Sequence, residues 1–182
     1  MKSQNPNDDV LEVLVSEEEI KQKVSEIAER IMKDYKGKNL VLIGILKGSL
    51  IFMADLMRAV DLRCTLDFMS VSSYGDGTSS SGVVKILKDL DQPIEGKDVL
   101  IIEDIIDTGY TLSYLKEILT ARNPNSIKFA TLLDKPSRRK ADIDVDYVCF
   151  EVPDEFVVGY GIDFAQEYRN LPYIGILKPE AY

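Results

Sequence analysis

The order of apolar and polar residues divides the chain into short strands and amphipathic helices in alternation. After a loose start with a short apolar segment, Val10 to Val15, the run Ser16-Glu17-Glu18-Glu19 has the form of a capping box, with Ser16 as N-cap and Glu19 three positions on. Ile20, Val24, Ile27, Ala28 and Ile31 then recur at the spacing of one helix face, and Gly37 stops the helix. Leu40 to Leu46 is a short continuous apolar run, the pattern of a strand covered on both faces of a parallel sheet. Gly48-Ser49 interrupts it, and Leu50 to Val60 resumes with helical spacing. Leu62 to Val71 alternates in part and reads as a strand, followed by a polar stretch from Ser72 to Gly82 and a strand at Val83 to Leu87. Val99 to Ile102 is a second wholly apolar run, and Thr111 to Ala121 is helical in pattern. Further strands are expected at Ile127 to Leu133, Tyr147 to Val152 and Tyr173 to Leu177.

This alternation predicts an α/β fold with a mostly parallel central sheet flanked by helices, in a single domain over residues 1–182. In such sheets ligands bind beyond the carboxyl ends of the strands. The residues just after each apolar run are therefore the candidates for chemistry.

Composition narrows that chemistry. The chain has no histidine, which excludes Ser-His and Cys-His nucleophiles, imidazole bases and His-ligated zinc, and leaves acid–base work to Asp, Glu, Lys or Tyr. Cys64 and Cys149 lie in unrelated apolar segments without metal-type spacing, as buried reduced thiols of a cytoplasmic protein do. The net charge of -9 argues against a nucleic-acid surface. No apolar stretch approaches the length of a membrane span, and the polar start, Met1 to Asp9, lacks the pattern of a signal peptide. An acidic chain that binds an anionic ligand must overcome its own field locally, with backbone donors, a few cations or a bound metal.

Such a place follows the second apolar run, in Glu103-Asp104-Ile105-Ile106-Asp107-Thr108-Gly109-Tyr110-Thr111. Here a strand ends in two adjacent carboxylates and turns through Asp-Thr-Gly into a helix. The amides of Thr108 to Thr111, at a helix start, can point at an anion. Gly109 lets the backbone approach a phosphate, the hydroxyls of Thr108 and Thr111 add donors, and Glu103 and Asp104 can grip ribose hydroxyls or a magnesium ion. After the first apolar run, Lys47-Gly48 supplies a cation and a turn at another helix start, but without the spacing of a nucleotide-binding P-loop.

Glu103 to Leu112 resembles the phosphoribosyl pyrophosphate (PRPP) signature of type I phosphoribosyltransferases, and the other motifs resemble the hypoxanthine-guanine branch in its bacterial form, over nearly the whole chain from about Val10. The resemblance implies the type I fold, with a small hood built from the N- and C-terminal segments. It implies that Lys47 and Gly48 bind pyrophosphate, with a cis peptide at Leu46–Lys47, and that Ser73-Tyr74 belongs to a closing flap that shields the reaction from water. Glu103, Asp104, Asp107, Thr108, Gly109, Tyr110, Thr111 and Arg169 would hold the rest of PRPP. Tyr110 is bulkier than the residues common at its position, which backbone contacts tolerate.

By the same resemblance Lys135 donates to the exocyclic oxygen of a 6-oxopurine, Phe156 stacks on the base, and carbonyls at Val157 and Asp163 face its edge. Glu103, Asp104 and Asp163 would hold Mg2+ directly or through water. Asp107 is the candidate proton acceptor or donor at purine N7. The expected partners are PRPP and a 6-oxopurine, with no nucleic acid and no membrane, in a homodimer or homotetramer. A nucleic-acid-binding sensor on the same fold and an enzyme for xanthine, adenine or a pyrimidine are the alternatives. The acidic balance opposes the first, and Lys135 with the Phe156 block opposes adenine and pyrimidines.

Overall fold

The two wholly apolar runs lie side by side at the centre of a sheet. The structure, a computed structural model, describes residues 4–73 and 84–181. Its elements are β1 (Val10–Val15), α1 (Glu17–Asp34), β2 (Leu40–Leu46), α2 (Leu50–Ala59), β3 (Cys64–Ser73) and β4 (Val84–Lys88). They continue with β5 (Asp98–Ile106), α3 (Tyr110–Thr120), β6 (Ser126–Asp134), β7 (Tyr147–Glu151), β8 (Val157–Val158) and β9 (Ile174–Leu177).

The main sheet has the order β4-β3-β2-β5-β6-β7, parallel except for β4, which runs antiparallel to β3 at one edge. Alternation along the central strands sorts their side chains to opposite faces. Leu40, Leu42, Leu100 and Ile102 pack with α1 and α2, and Val41, Ile43, Val99 and Ile101 pack with α3. Burial of each such side chain contributes about 1.5–3 kcal/mol, so both faces must be covered, as the apolar pattern required.

The expected helices form for the expected reasons. In α1 the Ser16 side chain accepts from the Glu19 amide at 3.2 Å and the Glu19 carboxylate accepts from the Ser16 amide at 2.8 Å, closing the capping box. The five apolar residues of its predicted face are its buried ones.

Three differences have physical causes. Val10–Val15 is a strand rather than a loose start, because it pairs antiparallel with β9. With β8 these form a separate three-stranded sheet, the hood expected from the chain's two terminal segments. β3 runs to Ser73, since Ser72 and Ser73 pair with Lys85 and Val84, so the polar stretch begins later than its composition suggested. Tyr74 and the rest of the expected flap to Gly82 lie outside the described residues. Finally, β5 continues four residues beyond Ile102 through Glu103 and Asp104 to Ile106, held by β6 as far as the Ile106–Asp134 pair. The two acids sit within a strand, not after one.

Candidate functional site

The extension of β5 opens the site. Pairing between β2 and β5 stops at Gly44–Ile102, whereas β2 goes on with β3 to Leu46–Ser70 and β5 goes on with β6. The two central strands therefore part at their carboxyl ends, at the point where the sheet order switches direction, and parting strands leave a crevice there. A cleft of about 260 Å³ fills that gap, lined by Lys47, Gly48, Glu103, Asp104, Thr111, Asp163 and Arg169 among others. Glu103 and Thr111 also line a smaller cavity of about 100 Å³ with Asp107, Thr108 and Gly109. The two cavities are neighbours across a shared wall.

Tight backbone packing closes the back of the cleft. The Leu46–Lys47 peptide is cis, as the resemblance implied. A Cβ on Gly48 would overlap Asp104 Oδ2, and a Cβ on Gly161, at φ +102°, would overlap the Gly48 carbonyl oxygen. Asp104, Gly48 and Gly161 thus stack in contact, joining β5, the loop after β2 and the loop after β8. Above them Arg169 donates to the Gly161 carbonyl at 2.7 Å and pairs with Asp163 at 2.8 Å.

The two adjacent acids of β5 have few partners. Asp104 Oδ1 accepts from the Ile105 amide at 2.8 Å. Glu103 Oε2 is buried with no hydrogen-bond partner. Burial, with Asp104 adding to it, pushes Glu103 well above the usual carboxyl range. Burial also raises Asp104 to about 6, against the opposing pull of nearby amides and Arg169. Among the described residues no three acids converge into a chelating cluster. The donor set suits a hard cation that takes most of its oxygens from substrate and water, the habit of Mg2+.

In the smaller cavity α3 starts at Tyr110 after Gly109, which has φ +82°. The first amides of a helix have no partner within it, so this turn presents donors to the cavity. The space a Cβ on Gly109 would need is crowded by Arg139, Ala141 and Ile143. Gly109 is thus favoured by its backbone angle and by packing against that segment. Tyr110 is exposed.

The remaining expected residues group around the loop after β7. Lys135 follows β6, is nearly buried, and donates to the Glu155 carbonyl at 2.7 Å. Phe156 is exposed and meets Phe164 edge-on, with centroids 5.3 Å apart. Val157 is buried in β8. None of these three lines the cleft itself. Ser73 ends β3.

Three residues at the site were missed in the sequence. Phe164 completes the aromatic pair. Gln166 Oε1 accepts from Lys47 at 3.1 Å and from Arg169 at 3.3 Å, joining two cations from distant segments, and no local pattern marks it. Arg138, read only as part of a charged surface stretch, lies 2.5 Å from Asp107 Oδ1.

Known proteins resemble this chain over nearly its whole length. Residues 12–165 match the family described as phosphoribosyl transferase domain. The chain is 60% identical to hypoxanthine-guanine phosphoribosyltransferase of Bacillus subtilis over 96% of this chain and 97% of that protein. It is 54% identical to the bifunctional protein TilS/HprT of Listeria monocytogenes over 99% of this chain, which spans 28% of that protein's length. Among solved structures it resembles a hypoxanthine phosphoribosyltransferase from Staphylococcus aureus, with a TM-score of 0.95 and 55% identity over 100% of this chain and 98% of that one.

Proposed function

The chain belongs to the phosphoribosyl transferase family, and from that premise we propose how its residues divide the work of a hypoxanthine-guanine phosphoribosyltransferase. The reaction is purine salvage: the 5-phosphoribosyl group of PRPP passes to hypoxanthine or guanine, giving the nucleotide and pyrophosphate. The observation that carries the assignment is the parting of β2 and β5, which places acids and cations in one cleft beside a helix-start cavity.

The smaller cavity takes the 5-phosphate on the amides and hydroxyls of Thr108 to Thr111. Glu103, whose unpartnered oxygen is an acceptor, lies between the cavities, where ribose hydroxyls must sit. Lys47, the backbone at Gly48, and Arg169 hold pyrophosphate in the larger cleft. Asp104 and Asp163 are the acids there that would hold Mg2+, with Glu103 beside them, and the ion would neutralise charge growing on the leaving group.

Purine N9 displaces pyrophosphate at the anomeric carbon while positive character grows on the ribose. Lys135 donates to the 6-oxo group and so disfavours adenine, whose amino group would face the ammonium donor to donor. Phe156 stacks on the base. Asp107 manages the N7 proton, in the absence of any histidine. The residues mostly position and stabilise charge.

The test is nucleotide formation by the purified protein with PRPP and MgCl2, offered hypoxanthine, guanine, xanthine, adenine and uracil. Hypoxanthine and guanine should be used and adenine and uracil refused. Turnover of adenine at a comparable rate, or no nucleotide from any base, overturns the assignment. Omitting the metal should abolish transfer.

A further inference from the structure

The base-binding loop and the phosphate turn belong to different parts of the chain, and one side chain spans them. Arg138 Nε lies 2.5 Å from Asp107 Oδ1, while Arg138 Nη1 donates to both carboxylate oxygens of Asp154 at 3.3 and 3.4 Å. Asp107 follows β5 directly and opens the proposed phosphate turn. Asp154 lies two residues before Phe156. Lys135 also reaches this loop, 3.7 Å from Asp154 and hydrogen-bonded to the carbonyl of Glu155.

Charge balance makes Arg138 more than a surface cation. Asp107 Oδ1 is buried and has no hydrogen bond, so the close charge of Arg138 is what accompanies it. The side chain of Asp107 is nonetheless 45% exposed, and that exposure belongs to its other atoms, which leaves its second oxygen open to a ligand. The neighbouring Arg139 cannot substitute. It is committed to Asp134 and to the carbonyls of Asp107 and Ile143. Without Arg138, Asp154 would face Lys135 alone and draw its ammonium from the base edge. Asp107 would keep a buried oxygen with nothing to hold it in place.

We propose that Arg138 is a positioning residue for the purine site: it clamps Asp107 to the Asp154 loop, sets the open oxygen of Asp107 toward the base, and shares Asp154 with Lys135 so that the acid does not hold the ammonium alone. The inference rests on the base assignment made above. Arg138 lines neither the cleft nor the phosphate cavity and reaches the latter only through Asp107, while the amides of Thr108 to Thr111 do not depend on it.

Steady-state kinetics of Arg138→Gln, Arg138→Lys, Asp154→Asn and the Arg138→Gln/Asp154→Asn double variant test it, with hypoxanthine and PRPP varied in turn. For a solvent-facing clamp, Arg138→Gln should raise the KM for hypoxanthine about three- to five-fold. The KM for PRPP should stay within about two-fold, since that substrate keeps its contacts. Arg138→Lys should recover part of the loss. Asp154→Asn should raise the same constant, and the double variant should be no worse than the poorer single one, because both remove one interaction. An unchanged hypoxanthine KM in Arg138→Gln, an equal rise for PRPP, or additive effects in the double variant would each refute the clamp. A wild-type protein inactive with hypoxanthine would instead refute the base assignment, so the two failures are distinguishable.

Discussion

Asp107 shows what a single residue's surroundings add to its identity. Its type and place after an apolar strand marked it as an acid–base candidate, and the absence of histidine strengthened that reading. Its neighbour Arg138 was invisible as a partner, because 31 residues separate them and only the approach of the 136–138 turn to the end of β5 joins them. At this scale the prediction concerns turnover. Asp107→Ala should lower kcat about 100-fold or more, the usual scale for losing a general acid–base group, while PRPP affinity changes little. Pre-steady-state and steady-state assays separate the two constants, and an unaltered kcat would remove Asp107 from the chemistry. Glu103 and Asp104 were legible as a pair. Their shifted proton affinities were not, since those follow from burial in a cleft that two strands create together.

At the scale of elements, helices were the easiest to read. The bonds that define a helix join residues four apart, so pattern and cap lie in one short stretch of sequence. The capping box of α1 satisfies two amides at its start, and its loss has a known scale. Ser16→Ala should cost about 1 kcal/mol and lower the melting temperature by about 2–4 °C. Calorimetry checks it, and kinetics should be unchanged because Ser16 is remote from both cavities. Strand ends were harder. β5 passes through two acids without stopping because β6 continues to pair with it, and nothing in the residues 103–106 alone announces a neighbour. The short β8 was likewise missed, since two residues become a strand only when β9 lies beside them.

For the whole molecule, the decisive feature is how the hood meets the main sheet. Gly161 touches the Gly48 carbonyl so closely that a methyl group cannot fit, and its backbone angle also suits only glycine without strain. Gly161→Ala should therefore displace Arg169 and Asp163 from the cleft and reduce kcat/KM for PRPP about ten-fold or more. Circular dichroism would show the fold retained. The hood is also tied to the chain's beginning: the Tyr168 hydroxyl donates to Asp9 at 2.7 Å and that of Tyr173 to Asn7 at 2.6 Å. The bond to Asp9 raises Tyr168 to about 12, and burial drives Tyr35, Tyr147 and Tyr160 up as well.

A phenol with a raised pKa in the folded state supports the fold below the unfolded value and loses that support as pH rises through the folded one. The window here opens at about pH 10, where an unfolded tyrosine ionises, and runs to about 12 for Tyr168. Stability should fall steadily across it. Absorbance titration should show an early class of tyrosines and a late class that appears only with unfolding. Tyr168→Phe should flatten the slope, and simple ionisation of all tyrosines near pH 10 would contradict this account.

The chain by itself determined the α/β class, the two central strands, the helices with their buried faces, and the acids and glycine turn between the second central strand and the helix after it. Each of these depends on residues adjacent in sequence or repeating at a short period, and side-chain character alone carries that information. Only the tertiary structure decided where β2 and β5 part, which acids lose their water, and how Gln166, Arg138 and Gly161 bind distant segments to the site. Those outcomes arise from contacts between residues far apart along the chain, whose closeness is a property of the packed whole and has no local trace.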